Sequence, residues 1–252
     1  WQELGVHNRK MKKIPSKVWY NVIGRFFMRR CFVVPRSHAA RSFILNYHRN
    51  TSNEIIVHGM NFDNLKYSTD KADYFITVGQ LIYRKNIESI IQKFDLFLKK
   101  YNLLHYRLYI AGTGILHEDL RVLVKQLNLE NNVIFLGHLS HIELNEYLSH
   151  AKAILLNSRM ELNMISLSES IAVATPVITN LVPYSSYDVI QNRLGIAKDN
   201  WNEHDMMEII RNNKYYVDNC LIYREQLSVE AVAGKFIALF NKKTLTEVIN
   251  CR

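Results

Sequence analysis

The chain has 252 residues, of which 48% are hydrophobic and 22% are charged, a composition typical of a globular protein with one large or two modest domains. Its three cysteines have no metal-ligand spacing, and their odd number argues against a disulfide framework, so we expect a reducing compartment. No apolar run approaches the roughly 20 residues that span a bilayer, and no signal peptide is recognisable. The chain opens at Trp1 without an initiator methionine, which indicates a fragment of a longer protein.

The net charge of +9 is confined to the first quarter of the chain. Residues 1–60 hold 11 Lys and Arg against 2 Asp and Glu, whereas residues 61–252 hold 21 of each. From Ser16 onward apolar residues recur at helical spacing with Lys and Arg beside them, which predicts an amphipathic basic helix. Such a helix packs either onto a sheet or onto an anionic membrane, so peripheral membrane contact through residues 9–30 is one of two interpretations. The basic residues form no groove-reading pattern, and we predict no nucleic-acid partner.

Residues before position 60 predict a small βαβ unit, and the segment after it predicts a linker. Cys31–Val34 and Glu54–His58 are predicted strands, and Ser37–Tyr47 between them is a predicted helix. This unit is too small to stand alone, which indicates the tail of a larger domain. Residues 61–72 are polar and without pattern, and we interpret them as an interdomain linker.

From Asp73 onward, strand-like and helix-like segments alternate with short connections between them. This pattern predicts an α/β fold with a doubly wound parallel sheet over residues 73–252. The predicted strands are Tyr74–Val78, Arg107–Ala111, Asn132–Leu136, Ala153–Asn157, Pro176–Thr179 and Gly195–Ala197. The predicted helices are Asn86–Tyr101, Leu116–Leu127, His141–His150, a helix closing before Pro176, Ser185–Asn192, Glu203–Asn212 and Val229–Asn241, with residues 214–228 ambiguous.

Two carboxylates, Glu161 and Glu169, lie eight positions apart across a predicted strand-to-helix turn. Spacing alone favours exposed surface positions for both. The alternation places them at the carboxyl edge of the sheet, where ligands bind in open α/β folds. A second loop at that edge carries Arg84 and Lys85, which can neutralise a diphosphate, and this reverses the interpretation toward a binding site. The backbone N–H groups of Ile165 and Ser166 offer a helix N-terminus to an anion.

Other chemistries find little support in the sequence. Gly112-Thr113-Gly114 lacks the third glycine of a dinucleotide fingerprint. The histidines show no paired ligand spacing, so we predict no metal, and no Gly-x-Ser-x-Gly elbow indicates covalent hydrolysis.

The order and spacing of five motifs resemble those of the family 4 (group 1) glycosyltransferases over about residues 74–241. The motifs are Val78-Gly79-Gln80-Leu81 with Arg84-Lys85, Leu108 to Gly114, Val133 to Gly137, Glu161 with seven residues to Glu169, and Thr175-Pro176-Val177-Ile178. Less closely, Phe32–Gly59 resembles the end of the acceptor domain of that two-domain GT-B fold.

The resemblance implies a retaining, metal-independent hexosyltransferase that takes a nucleotide-diphosphate sugar as donor and needs no cofactor. It assigns the diphosphate to Lys85, the donor sugar to Glu161 and the ribose to Glu169. It adds further binding residues around them: Gly79, Arg84, Gly112, His138, Asn163, Met164, Ile165 and Ser166. The implied acceptor is a polysaccharide or glycolipid, and the implied location is the cytoplasm or the inner face of the cell membrane.

Two departures from the family pattern leave a second function open. Gln80 stands where the family has arginine, which removes one diphosphate contact unless Arg84 replaces it. Leu162-Asn163-Met164 replaces a glycine-containing turn, and without glycine a close backbone approach is costly. The alternative function is therefore a degenerate, non-catalytic module that supports a partner transferase.

Overall fold

The structure is a computed structural model that describes residues 26, 31–36, 38–45, 51–63, 65–161 and 164–250. Side chains of residues 38, 39, 43 and 243–250 are outside this description. The predicted basic helix and the membrane contact through residues 9–30 fall almost wholly outside the described residues. The chain divides into two compact units between His58 and Gly59.

The described part of the first unit contains one helix, α1 (His38–Leu45). The predicted strand at Cys31–Val34 is reduced to a single bridge between Val33 and Thr51, and residues 54–58 form no strand, so the βαβ prediction was wrong there. The backbone N–H groups of this segment make isolated bonds instead. That of Glu54 donates to the Ser52 hydroxyl and that of Ile56 donates to the Pro35 carbonyl, which leaves no regular ladder.

The second unit is built on a six-stranded parallel sheet. Its strands are β1 (Tyr74–Val78), β2 (Arg107–Ala111), β3 (Val133–Gly137), β4 (Ala153–Leu155), β5 (Val177–Thr179) and β6 (Gly195–Ala197). The helices are α2 (Ile87–Tyr101), α3 (His117–Gln126), α4 (His141–His150), α5 (Ile165–Ala172), α6 (Ser186–Gln191), α7 (Glu203–Arg211), α8 (Asn213–Arg224) and α9 (Val229–Asn250). The ambiguous segment is thus mostly helix α8.

The strands lie in the order β3-β2-β1-β4-β5-β6, which confirms the doubly wound α/β fold. The chain moves outward from β1 to β3, then returns to the other side of β1 with β4. β1 and β4 are therefore neighbours, paired at Phe75 with Ala153 and at Ile76 with Ile154. In such sheets the loops that leave these two strands at their carboxyl ends flank the crevice where ligands bind.

The core is apolar and aromatic, as the strand pattern predicts for a sheet covered on both faces. Phe75 of β1 packs edge-on against Phe94 and Phe97 of α2, with ring centroids 6.5 and 5.6 Å away. Trp201 is fully buried, and its indole N–H donates to the Leu156 carbonyl just after β4 at 3.0 Å. This bond fixes the chain where it leaves the sheet toward Glu161.

Residues 61–72, predicted as a linker, belong to the second unit and contain no helix or strand in their described part. Met60 forms a bridge with Ser228 beside the start of α9. The Arg224 guanidinium stacks on Phe62 and Tyr67, with 4.6 and 4.7 Å to the ring centroids. Throughout the described part of the chain, none of the helices has the length and apolar character needed to cross a bilayer.

Lys71 is an unusual buried cation at the amino edge of the sheet, 8% exposed. Its ammonium group donates to the Ser149 carbonyl at 2.5 Å and to the Thr175 hydroxyl at 2.9 Å. Desolvation is the largest cause that lowers the pKa of Lys71 from 10.5 to about 7, opposed by the nearby Cys220 thiol.

Replacing Lys71 with methionine should flatten the pH dependence of stability. Between pH 7 and 10.5 the unfolded chain holds a proton that the folded chain has released, so the free energy of unfolding rises with pH. The rise is at most about 1.4 kcal/mol per pH unit. Urea unfolding at pH 7 to 9 should show this rise for the wild type relative to the variant, and parallel curves would contradict it.

Three loops at the carboxyl edge are held together by backbone contacts that only glycine permits. The Gly79 N–H donates to the Ala111 carbonyl at 3.0 Å, and the Gly112 N–H donates to the Gly137 carbonyl at 2.7 Å. Gly112 has a φ of 137°, and a Cβ atom there would collide with the Gly79 carbonyl. The loops after β1, β2 and β3 therefore form one connected edge.

A Gly112→Ala substitution should lower the free energy of unfolding by about 3 kcal/mol, because both the positive φ and the collision oppose a methyl group. Gly234→Ala is the matched control. Gly234 lies inside α9 with nothing within 4 Å of a new Cβ, so alanine should stabilise the chain by about 0.5–1 kcal/mol. Chemical denaturation of both variants measures the contrast, and equal effects would be inconsistent with it.

Candidate functional site

The first loop of the site leaves β1 and carries two cations on a short turn. Tyr83–Lys85 form a single 3₁₀ turn, after which Asn86 adopts a left-handed conformation with a φ of 54° and leads into α2. The aliphatic stem of Lys85 runs back over Gly79, 3.4 Å from the position that a Cβ atom would occupy there. The small residue thus leaves room for the lysine to lie along the loop, with its ammonium directed at the neighbouring loop after β4.

Glu161, on the loop after β4, lies between these two cations. Its Oε1 is 3.0 Å from Arg84 Nη1, and its Oε2 is 2.5 Å from Lys85 Nζ. The Glu161 side chain is only 8% exposed, against 14% for Lys85 and 39% for Arg84. A carboxylate this deeply buried needs such partners, and the trio still carries one net positive charge for an anionic ligand. The structure therefore brings together three residues that the sequence predicted to share a site.

Helix α5 begins directly after this loop and leaves its first N–H groups available. No side chain caps it at Met164, and its first turn holds no acidic residue. Within the described part of the chain, the N–H groups of Ile165 and Ser166 have no acceptor. Aligned helix dipoles and free N–H groups favour an anion at such an end. Met164 itself is buried, and Asn163 lies outside the described residues, so its predicted contact stays a prediction.

Glu169 lies one turn further along α5 and contrasts with Glu161. It is half-buried, and it has no hydrogen bond or ion pair among the residues that the structure describes. Burial is the largest cause that raises the pKa of its carboxyl group, and His141 at the start of α4 acts in the opposite direction. Glu169 therefore lies outside the cation cluster, and among the described residues its acceptor oxygens are unused.

Gly112 and His138 occupy the other side of the carboxyl edge. Gly112 contacts the Gly79 backbone, as described above, so it borders the cation loop directly. His138 is exposed and follows Gly137, which ends β3 with a φ of 67°. Among the described contacts, His138 does not meet the Glu161 cluster, and its predicted role next to the nucleotide base remains a prediction.

Gln80, the departure noted in the sequence, is exposed, whereas Arg84 is the residue that reaches Glu161. The guanidinium of this cluster comes from position 84, and its replacement of the diphosphate contact at position 80 stays a prediction.

Two residues without a predicted role also join the loops. The Arg159 backbone N–H donates to the Arg84 carbonyl at 2.8 Å, and its Nη1 donates to the Tyr83 carbonyl at 2.7 Å. The same guanidinium lies 4.0 Å from the centroid of the Tyr83 ring. The only sequence signal was indirect: Arg159 immediately precedes the Met160-Glu161 pair, on the loop that the fold brings beside Tyr83.

Comparisons with known proteins agree with this geometry. A family model described as glycosyl transferases group 1 matches residues 62–212. The O-antigen chain mannosyltransferase RfbU of Salmonella typhimurium is 28% identical over 189 residues, which are 72% of this chain and 52% of that protein. The alpha-monoglucosyldiacylglycerol synthase of Streptococcus pneumoniae is 27% identical over 137 residues, 54% of this chain and 30% of that protein. The chain thus spans about half or less of these relatives.

Solved structures show the same fold. A mutant of S. aureus TarM, in complex with fondaparinux, alpha-GlcNAc-glycerol and UDP, superposes with a TM-score of 0.65 at 23% identity, covering 83% of this chain and 43% of that one. Anabaena Alr3699/HepE in complex with UDP superposes with a TM-score of 0.72 at 14% identity, covering 87% of this chain and 66% of that one.

The family match covers more than half of the chain, and it spans the loops that carry Lys85, Glu161 and Glu169. The superpositions show that the chain shares the GT-B-type α/β fold of the solved neighbours. The chain belongs to the group 1 glycosyltransferases.

Proposed function

We propose that this chain holds the donor site of a retaining, metal-independent hexosyltransferase, which moves a sugar from a nucleoside diphosphate sugar to an envelope polysaccharide or glycolipid. The observation that carries the proposal is the Arg84–Lys85–Glu161 cluster at the crevice between β1 and β4. Two of the solved neighbours are complexes with UDP, which supports a nucleoside diphosphate as the leaving group.

The chemistry of the cluster fits transfer from a diphosphate. Negative charge grows on the diphosphate as the bond to the sugar breaks, and Lys85, Arg84 and the free N–H groups of α5 are fixed cationic or dipolar groups that stabilise such charge. The Glu161 carboxylate lies next to them and is an acceptor for sugar hydroxyls. This arrangement supplies positive charge from side chains, which supports a reaction without a metal.

The Glu169 carboxylate is suited to the ribose. A vicinal diol donates two hydrogen bonds, and Glu169 has both carboxylate oxygens without a partner among the described residues. The resemblance puts the rest of the nucleoside near Gly137 and His138, and the electrostatic influence of His141 on Glu169 is consistent with that assignment. In this proposal Glu161 binds the donor sugar and Glu169 binds the ribose.

The acceptor class rests on the relatives. Their names describe transfer to poly(ribitol-phosphate), synthesis of a glucosyl diacylglycerol and assembly of an O-antigen chain. All three products belong to the cell envelope, and we extend that class to this chain. A cytoplasmic protein that contacts the inner membrane face through residues 9–30 would meet such acceptors, because the excess positive charge lies at that end.

A non-catalytic module is the second candidate, favoured by the loss of glycine at Leu162-Asn163-Met164. Met164 is 4% exposed and its thioether accepts a weak contact from the Ser158 hydroxyl at 4.0 Å, so a bulky, packed side chain stands at this turn. A module of this kind would retain nucleotide binding and lack turnover, which separates the two candidates.

Turnover provides the decisive test. The chain is incubated with UDP-glucose, UDP-N-acetylglucosamine and GDP-mannose, and release of the nucleotide is measured with and without a lipid acceptor. We expect release with one of these donors, and a Glu161→Gln substitution should lower its rate about 100-fold by removing a charged group at the reacting sugar. Glu130→Gln, on an exposed residue just before β3 at the opposite edge, is the matched control and should leave the rate unchanged.

The outcomes of this test are distinct. Binding without release from any donor would support the non-catalytic module. Neither binding nor release would contradict both candidates.

The binding of UDP-glucose should strengthen with rising pH. Burial raises the pKa of Glu169, and only the deprotonated carboxylate accepts both ribose hydrogen bonds, so affinity should rise through that pKa and then level off. A Glu169→Gln variant should bind more weakly and lack this part of the pH dependence. Titration calorimetry of both proteins between pH 5 and 8 gives the difference. Identical profiles would remove Glu169 from the ribose site.

A further inference from the structure

Arg159 makes three contacts with the short turn that carries the cations of the site. Its backbone N–H donates to the Arg84 carbonyl at 2.8 Å, and its Nη1 donates to the Tyr83 carbonyl at 2.7 Å. Its guanidinium also covers the exposed Tyr83 ring at 4.0 Å. One residue of the loop after β4 therefore holds both the backbone and an aromatic side chain of the loop after β1.

The turn needs an external partner to keep one conformation. It is a single 3₁₀ turn in which the Tyr83 carbonyl accepts a long bond from the Asn86 N–H at 3.3 Å, and so short a helix satisfies few of its own carbonyls. Arg159 supplies donors to two of these carbonyls. A planar guanidinium can donate in its own plane while it stacks on a ring with its face, so the two contacts of its side chain are compatible.

The sheet does not align the two loops at this distance. The pairing of β1 with β4 ends at Ile154, several residues before Glu161. Beyond it, Asn157 Nδ2 donates to the Ser89 hydroxyl at 2.9 Å, and Arg159 makes the next link. Among the described contacts, the Arg159 link is the nearest one to Glu161 outside the ion cluster itself, so it sets the distance between the carboxylate and its cations.

We propose that Arg159 is a positioning residue of the donor site, which acts with Tyr83 to fix Lys85 and Arg84 opposite Glu161 and the diphosphate. The proposal deepens the proposed function and rests on it. The Arg159 guanidinium donates to the Tyr83 carbonyl and covers the Tyr83 ring, so we assign its effect to the position of the cations rather than to direct contact with the donor substrate. When charged groups are already held in the geometry of the transition state, less reorganisation is needed during the reaction. A residue that holds them there therefore raises the rate of transfer.

Arg159→Ala should weaken UDP binding about tenfold and lower kcat/KM for the donor that is turned over by at least as much. Calorimetry with UDP gives the dissociation constant and the number of sites together. A loss of folded protein would reduce the number of sites at an unchanged dissociation constant, so this readout separates positioning from stability. Arg211→Ala is the matched control, because Arg211 is exposed at the end of α7, near the opposite edge of the sheet.

Two conservative variants separate geometry from charge. Arg159→Lys keeps the positive charge but cannot stack and donate as a plane, so we expect it to recover little of the affinity. Tyr83→Phe keeps the ring and the carbonyl and should bind UDP like the wild type, whereas Tyr83→Ala should weaken binding. Wild-type UDP affinity in Arg159→Lys would overturn the proposal, since the positive charge at this position would then be sufficient without the stacking and planar hydrogen bonding.

A double-mutant cycle with Lys85→Gln tests whether Arg159 changes UDP affinity through Lys85. If Arg159 acts through Lys85, adding Arg159→Ala to Lys85→Gln should cost much less than tenfold in UDP affinity. Independent, multiplying losses would overturn the proposal. A wild-type chain that binds no UDP would instead refute the proposed function, whereas UDP binding that Arg159→Ala leaves unchanged would refute only the positioning role.

Discussion

The buried carboxylate of Glu161 is the constraint on which the site depends. At 8% exposure it must be neutralised, and the cations that do so lie more than seventy residues earlier in the chain. Only the strand order makes this possible, because the return of the chain to β4 places it next to β1. The ion cluster therefore links the topology of the sheet to the chemistry of the crevice. The glycine contacts after β1 and β2 hold the neighbouring loops of that edge together.

That arrangement also explains how the chain tolerates its departures from the family pattern. A cation at position 80 would leave the turn from its start, whereas Arg84 leaves it from its end and reaches Glu161 at 3.0 Å. The Tyr83–Lys85 turn, held by Arg159, makes the later position usable. The cluster therefore keeps two cations even though position 80 is Gln.

Much of the fold could be predicted from the sequence, because in the second unit the buried strands and the amphipathic helices differ clearly in period. β1, β2, β6 and α4 have the predicted bounds, and Ser140 caps α4 with Glu143 completing a capping box. The strands predicted in the first unit were wrong, since the described backbone there makes one bridge and isolated hydrogen bonds rather than a continuous ladder. The contact of Arg159 with Tyr83 could not be predicted from the sequence, because it depends on two loops that lie side by side only in the fold and has no local sequence pattern.

The two glutamates of α5 and its preceding loop show how one motif can serve two tasks. Glu161 is paired with two cations, whereas Glu169 is half-buried without a partner in the described chain, and burial raises its pKa. A carboxylate that is already paired is fixed in orientation, which suits contact with a reacting sugar. A carboxylate without a partner gains most from a ligand that brings its own donors, as a ribose diol does. Their different surroundings, rather than their spacing in the sequence, thus give the physical reason for assigning one to the sugar and the other to the nucleoside.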